Sequence, residues 1–169
     1  MLKDIINKRY SCRKYIDKTI DKELVYSCID AARLAPSACN SQPWMFYVVL
    51  DEIKRKEIVK LTQPFTKNTV FVVVEEKKPN FSEKIVNKLK NQDFTNTDIG
   101  IACSYLTLHA TELGLATCMI GYFNENKIKE LLCIDKKSRL RLVICIGYPE
   151  NDEKRKLIRK ELNEVMKSF

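Results

Sequence analysis

The sequence predicts an α+β fold, because strand-like and helix-like segments are both present. Continuous apolar runs of strand length are separated by amphipathic segments with helical period, and polar or proline-containing stretches divide them. The chain has 169 residues, of which 45% are hydrophobic and 31% are charged. This length and balance predict one globular domain over residues 1–169, with enough apolar side chains for a core.

Helices are predicted where apolar residues recur with helical period, often behind a capping residue. Pro36 ends the helix that begins at Asp21. The shorter helices cover Leu2–Lys8, Asp21 to about Leu34, Asn124 to about Leu132, and a terminal segment from Asp152 onward.

The longest helix is predicted to begin at a capping box, Thr95-Asn96-Thr97-Asp98. Its apolar residues occupy two faces, so this helix is expected to be buried on two sides. The second side is either a subunit interface or part of a monomer core. The polar region 77–95 before it is predicted to form a mobile cap or loop.

Strands are predicted from runs of apolar residues that lack helical period. Such runs are typical of strands buried on both faces. They cover Trp44–Leu50, Val70–Val74 and Ser138–Ile146, with a shorter strand within Leu115–Gly121.

The net charge of +8 comes from 30 basic and 22 acidic residues. The lysines are spread along the chain, which favours a solubilising surface over a nucleic-acid or membrane partner. The seven cysteines are odd in number and form no C-x-x-C pair, so they indicate buried thiols in a reducing compartment, although Cys12 and Cys39 leave a reactive thiol open. With no signal peptide or transmembrane run, we expect a cytoplasmic protein.

Two segments carry candidate binding chemistry. In Arg9-Tyr10-Ser11-Cys12-Arg13, two guanidinium groups and a hydroxyl can bind a phosphate, or form an ordinary basic loop. In the segment from Pro36 to Trp44, Asn40 and Gln42 offer side-chain amides that both donate and accept hydrogen bonds. No metal-binding motif, P-loop or glycine-rich dinucleotide loop is present, and His109 is the single histidine.

These segments, with Glu112 to Gly121 and Gly147-Tyr148-Pro149, resemble the nitroreductase family of FMN flavoproteins. The resemblance covers nearly the whole chain. It implies a nitroreductase-like fold, in which a mixed, mainly antiparallel sheet is wrapped by helices. It also implies an intertwined homodimer with FMN sites at the subunit interface.

The resemblance also implies roles for individual residues. Arg9 and Ser11 would hold the FMN phosphate end, with Tyr10 contributing its backbone. Arg13 would face the pyrimidine edge of the flavin and favour its reduced state. The other implied contacts are Pro36, Ser37, Ala38 and Asn40 from the second subunit, Gln42 beside the ring, Gln63 and Lys67, the backbone of Ile120 and Gly121, and Lys156 or Arg159 (with Arg155 competing) at the phosphate.

The implied activity is oxidoreduction by a ping-pong mechanism. NADH or NADPH, as a transient donor, reduces the flavin, and a nitroaromatic, quinone or similar acceptor then takes the electrons. No catalytic side chain is required, because the chemistry belongs to the flavin.

Three alternatives remain. The first is a flavoenzyme of the same fold with another task or donor, such as dehalogenation, flavin destruction, azoline oxidation or a ferredoxin-linked reaction. The second is a non-enzymatic FMN-binding protein. The third is a basic nucleic-acid-binding module, which the placement of the aromatic residues in apolar strands disfavours.

Overall fold

The computed structural model describes residues 1–62, 68–90, 92–151 and 158–169. Within them, helices and strands alternate irregularly along the chain, as an α+β protein requires. The helices are α1 (Leu2–Lys8), α2 (Lys22–Arg33), α3 (Glu52–Leu61), α4 (Phe81–Lys90), α5 (Thr95–Glu112), α6 (Glu125–Leu131) and α7 (Leu162–Val165). The strands are β1 (Trp44–Val49), β2 (Val70–Glu76), β3 (Ala116–Ile120) and β4 (Arg139–Gly147).

The four strands form one antiparallel sheet in the order β1-β2-β4-β3. The two central strands are β2 and β4. All of β2 pairs with β4, from Val70 opposite Ile146 to Glu76 opposite Arg139, with a β-bulge between Val74 and Glu75. The two edge strands are therefore β1 and β3, at opposite sides of the sheet. This position of the edge strands decides where the candidate site residues lie.

The sheet is covered by helices on both faces. Val72 and Val74 of β2 point to one face, where they pack in a core with buried residues of α2 and α5. Phe71 and Val73 point to the other face, where Ile58 of α3 and Ile128 of α6 are fully buried. The alternation follows from the period of two in a strand, and because both faces are covered, β2 is an uninterrupted apolar run as predicted.

Several local predictions are confirmed. The Asp21 carboxylate accepts a hydrogen bond from the Glu23 backbone N–H, and Asn124 caps α6 by accepting from the Lys127 N–H at 3.2 Å. All seven cysteines are free, and five of them are buried. Burial raises the pKa of the Cys103 and Cys145 thiols to about 12, so neither is a thiolate at neutral pH.

Two predictions about chain segments are wrong in part. Strand β1 is not buried on both faces: Met45 is 45% exposed and most of its neighbours are half-buried, because β1 is an edge strand. The predicted terminal helix is reduced to α7 in the described part, and residues 152–157 lie outside it. Apolar side chains of this tail are exposed, namely Ile158, Leu162, Val165, Met166 and Phe169.

The region predicted as a mobile cap or loop contains a ten-residue helix, α4. Its N-terminus is capped by Asn80, whose Oδ1 accepts the Glu83 N–H at 2.9 Å. The predicted capping box of α5 is also wrong. Helix α5 begins at Thr95, whose N–H donates to Asp93, and the Asp98 side chain is used elsewhere.

We predict that Gly147→Ala destabilises the protein by about 1–3 kcal/mol through overpacking. A Cβ at this position would lie 2.5 Å from Cδ1 of Tyr15, a buried ring that cannot move aside freely. Urea unfolding measures the change. Gly100→Ala in α5 is the control, because no atom lies within 4 Å of its added Cβ. Equal stability of both variants would contradict the prediction.

Candidate functional site

The Arg9–Arg13 segment is attached to strand β3. Ser11 forms a parallel bridge with Thr117, and the Cys12 N–H donates to the Thr117 carbonyl at 2.9 Å. The buried Tyr15 hydroxyl donates to the Cys12 carbonyl at 2.9 Å. Because Cys12 points into the core, its neighbours Ser11 and Arg13 point outward and are exposed.

The two arginines of this segment have no acidic partner in the described part of the chain. Both act electrostatically on Cys118 of β3. Burial raises the pKa of the Cys118 thiol, and the positive charges of Arg13 and Arg9 oppose that rise. The guanidinium groups therefore create a positive region along β3, suited to an anion.

Strand β3 ends at Ile120, which is buried, and the next residue, Gly121, is exposed. A Cβ built on Gly121 meets no atom within 4 Å. The backbone at this strand end is thus open from the side of the missing side chain, and the flavin contact predicted for Ile120 and Gly121 stays a prediction.

The second candidate segment is a strained loop before β1. It contains a 3-10 turn at Ala38–Asn40, and Cys39, Asn40 and Gln42 all have a φ of 49°. Non-glycine residues in this left-handed region cost of order 1 kcal/mol or more each, and they persist where the surroundings impose them. The Gln42 side-chain amide donates to Asn40 Oδ1 at 3.1 Å, so the two predicted amides lie side by side.

The surroundings that impose this conformation are two side chains outside the loop, Asp98 of α5 and Asn80 before α4. The Ala38 N–H donates to Asp98 Oδ2 at 3.0 Å. Asn80 donates from its side chain to the Cys39 carbonyl at 2.9 Å and from its backbone to Ser41 Oγ at 2.8 Å. We call Asp98 and Asn80 the loop clamp.

The Asp98 carboxylate of the loop clamp is 4% exposed, and burial raises its pKa. The hydrogen bond from Ala38 acts in the opposite direction, and the nearby Glu83 adds to the rise. Glu83 is itself fully buried, and within the described residues its Oε2 has no hydrogen-bond partner. Two buried acidic side chains, Asp98 and Glu83, therefore lie close together beneath the loop.

The two candidate segments lie far apart within one chain. Ser11 pairs with Thr117 of β3, and Thr117 pairs with Ile146 of β4. Ile146 in turn pairs with Val70, at the start of β2. Trp44 pairs with Glu76 at the other end of β2. Strand spacing and rise separate Ser11 from Trp44 by roughly 25 Å across the diagonal of the sheet.

The structure leaves some predicted residues undecided. Gln63, Lys67, Arg155 and Lys156 lie outside the described residues. Arg159 is on the exposed tail and donates to the carbonyl of Ile158. The ligand-binding roles predicted for the site residues, those of Tyr10, Pro36, Ser37 and Ala38 included, all stay predictions. The Ser37 hydroxyl contributes to the loop by accepting the Gln42 N–H at 3.0 Å.

His109 has a structural arrangement of its own. Its Nε2 lies 2.8 Å from Ser27 Oγ of α2, and its Nδ1 lies 3.0 Å from Glu112 Oε2. The contact with Ser27 joins α2 to α5, the contact with Glu112 lies within α5, and neither involves a candidate segment.

Comparison with known proteins identifies the class to which this fold and site belong. The profile of the Nitroreductase family matches residues 6–78 and 60–148. The chain therefore belongs to the nitroreductase family.

Particular relatives match over most of their length. A protein of Archaeoglobus fulgidus, named as a candidate NADH dehydrogenase/NAD(P)H nitroreductase, is 35% identical over 88% of this chain and 86% of its own. Iodotyrosine deiodinase of Thermotoga neapolitana is 28% identical, over 96% of this chain and 95% of its own. FMN reductase [NAD(P)H] of Bacillus subtilis is 29% identical, over 92% of this chain and 68% of its own.

The fold is shared with solved structures. A nitroreductase family protein of Streptococcus pneumoniae superposes with a TM-score of 0.83 over 100% of both chains, at 24% identity. At this identity the likeness supports the fold alone, and it agrees with the predicted nitroreductase-like architecture.

We predict that Asp98→Ala costs about 1–3 kcal/mol in stability, because the Ala38 N–H loses its acceptor. Asp98→Asn keeps an oxygen acceptor and removes a buried charge, so it should be at least as stable as the wild type at pH 7. That advantage should shrink on acidification, because a raised folded-state pKa costs stability only while the wild-type carboxyl is ionised.

Urea unfolding of both variants at neutral and acidic pH tests this prediction. Equal losses in the Ala and Asn variants would show that the hydrogen bond to Ala38 is not what Asp98 contributes.

Proposed function

We propose that this protein is an FMN-dependent oxidoreductase that acts as a homodimer. NAD(P)H would be its electron donor, and a nitroaromatic, quinone or similar small molecule its acceptor. The observation that carries the proposal is a pair of arginines without an acidic partner among the described residues. Their charges act on strand β3, which leads to the open backbone at Gly121, in a chain of the nitroreductase family.

The residues along β3 fit the anionic end of FMN. Arg9 and Arg13 supply guanidinium groups that bind phosphate through paired hydrogen bonds, and Ser11 adds an exposed hydroxyl. A relative is named FMN reductase [NAD(P)H], which supports both the cofactor and the donor. Tyr10 would contribute its backbone, and Arg159 with Lys156 would add cations from the tail.

The strained loop fits the ring end of FMN. The paired amides of Asn40 and Gln42 can donate to and accept from a flavin edge, and the loop clamp holds them in place. When bound, FMN supplies the hydride-accepting and electron-transferring chemistry. The chain's own part is to bind the phosphate, to orient the ring against the Ile120–Gly121 backbone, and to place the Arg13 cation where negative charge increases on reduction.

The separation of the two segments supports the proposed homodimer. A loop roughly 25 Å from Ser11 in the same chain cannot share one cofactor with it, whereas a second copy can bring its own loop to β3. Two surfaces are suited to this contact. One is the exposed tail with its apolar side chains, and the other is the face formed by Leu2, Ile6 and Tyr105, all of which are exposed in the single chain.

The acceptor follows from the names of relatives only in general terms. The name of the Archaeoglobus relative supports a nitro compound as the electron acceptor. The name of the Thermotoga relative supports reductive dehalogenation as the second candidate reaction. Both reactions use the same binding and orienting residues.

We predict that the purified protein is yellow, with the absorbance of oxidised flavin, and is bleached anaerobically by NADH or NADPH. Arg9→Ala should lower FMN affinity roughly tenfold or more, because a hydrogen bond to a charged group is lost. Arg33→Ala, whose side chain pairs with Asp30 on α2, is the matched control and should retain FMN. A colourless protein that takes up no added FMN would refute the proposal.

We also predict complementation between variants damaged in different segments. Arg9→Ala and Asn40→Ala homodimers should each bind FMN poorly. After unfolding and refolding of an equal mixture, each heterodimer contains one intact site, so about a quarter of the wild-type FMN binding should return. If both segments served one chain's site, the mixture would recover nothing, and FMN titration distinguishes these outcomes.

A further inference from the structure

A basic cleft lies directly beyond the end of β3. It has a volume of about 870 Å³ and is bordered by the end of α3, by the start of α6 and by the segment that leads into β4. Tyr122, the residue after Gly121, lines it. The cleft therefore adjoins the backbone that the proposed function places beside the flavin ring.

The charges around the cleft are unbalanced. Six cationic side chains line it, and Glu125 is the one carboxylate among its lining residues in the described chain. Glu125 is already engaged, since it accepts from Lys129 at 2.9 Å, Arg139 at 2.8 Å and the Leu140 N–H at 2.9 Å. The remaining cations are Lys60, Lys127, Lys136 and Lys137.

Three of these four cations are available to a ligand. Lys60 pairs with Glu57 at 2.6 Å, but within the described residues Lys127, Lys136 and Lys137 form no ion pair. The nearby Asp135 caps the Lys137 N–H at 2.9 Å and lines a different pocket.

The cleft also has a fixed wall and an aromatic surface. The Lys129 ammonium is buried, and it donates to the Lys136 carbonyl at 3.3 Å, which holds the lysine-bearing segment against α6. Tyr122 is 84% exposed. An exposed aromatic ring beside unpaired cations suits a nucleobase that stacks while its phosphates contact the cations.

We propose that this cleft binds the phosphorylated adenosine half of NADPH and makes NADPH the preferred donor over NADH. The inference rests on the proposed function, because it takes the nicotinamide to lie at the flavin near Gly121. Tyr122 would stack on the adenine, and Lys136 and Lys137 would contact the additional phosphate that distinguishes NADPH from NADH. These are specificity-determining residues, and the hydride transfer itself does not involve them.

The test uses the flavin-loaded protein and the double variant Lys136→Gln/Lys137→Gln. Both lysines are exposed, so their replacement leaves the core unchanged. We expect the wild type to have the lower KM for NADPH, and we expect the double variant to raise that KM roughly tenfold, with a smaller effect on NADH, through loss of charge-assisted contacts. Lys22→Gln on α2, beyond the opposite face of the sheet, is the matched control and should behave as wild type.

A binding measurement makes the result independent of turnover. Calorimetric titration with adenosine bisphosphate, the phosphorylated half of NADPH, should show binding to the wild type and to Lys22→Gln, and weaker binding to the double variant. A wild-type preference for NADH, or an unchanged ratio of the two KM values in the double variant, overturns the inference. A yellow protein that neither nucleotide bleaches refutes NAD(P)H as the electron donor. A protein that is bleached, but whose preference for NADPH is the same in the wild type and the double variant, refutes only the role of the cleft.

Discussion

The buried pairing of β2 with β4 is the constraint on which the rest of this structure depends. Both strands must be apolar on both sides, so helices must cover both faces of the sheet. With the centre occupied in this way, the strands that can meet a ligand are the two edges. Strand β3 carries the arginine segment and the open glycine backbone, and β1 carries the amide loop. The proposed cofactor site draws on both edges of the sheet, and for that reason we propose that two copies of the chain associate.

The amide loop illustrates how a fold maintains an unfavourable backbone. Three non-glycine residues with positive φ are held by contacts from separate elements, namely α5 through Asp98 and the start of α4 through Asn80. The burial of the Asp98 carboxylate adds to the free-energy cost of folding this loop, as the raised pKa of Asp98 indicates. Such an arrangement fixes the positions of Asn40 and Gln42 before any ligand arrives, which reduces the entropy lost on binding.

Much of the fold could be predicted from the sequence, because its signals are local. Asp21 caps the helix that it immediately precedes, and β2 is recognisable from its own apolar run. The two features that the sequence predicts wrongly depend instead on residues that are distant in the sequence. Asp98 resembled a capping residue, but its partner Ala38 lies 60 positions away in the sequence. Strand β1 resembled a central strand, because its position at the edge is decided by pairing and not by composition.

The candidate site was predictable to a similar degree. The arginine and amide segments are recognisable by their residue types and order. The loop clamp is not, because Asp98 and Asn80 contact loop residues that are distant in the sequence. The polar region that contains α4 has only a weak helical pattern in the sequence, and the burial of Glu83 depends on tertiary contacts that the sequence does not reveal.

The attachment of the amide loop to the start of α4 has an evolutionary consequence. Substitutions on this largely exposed helix can shift Asn80, and through it the loop, without replacing any residue that would touch a ligand. Selection for a new acceptor therefore has a route that leaves intact the arginines that we propose bind phosphate. Along that route, descendants of one ancestor would diverge in substrate without any change in the segments that identify their ancestry.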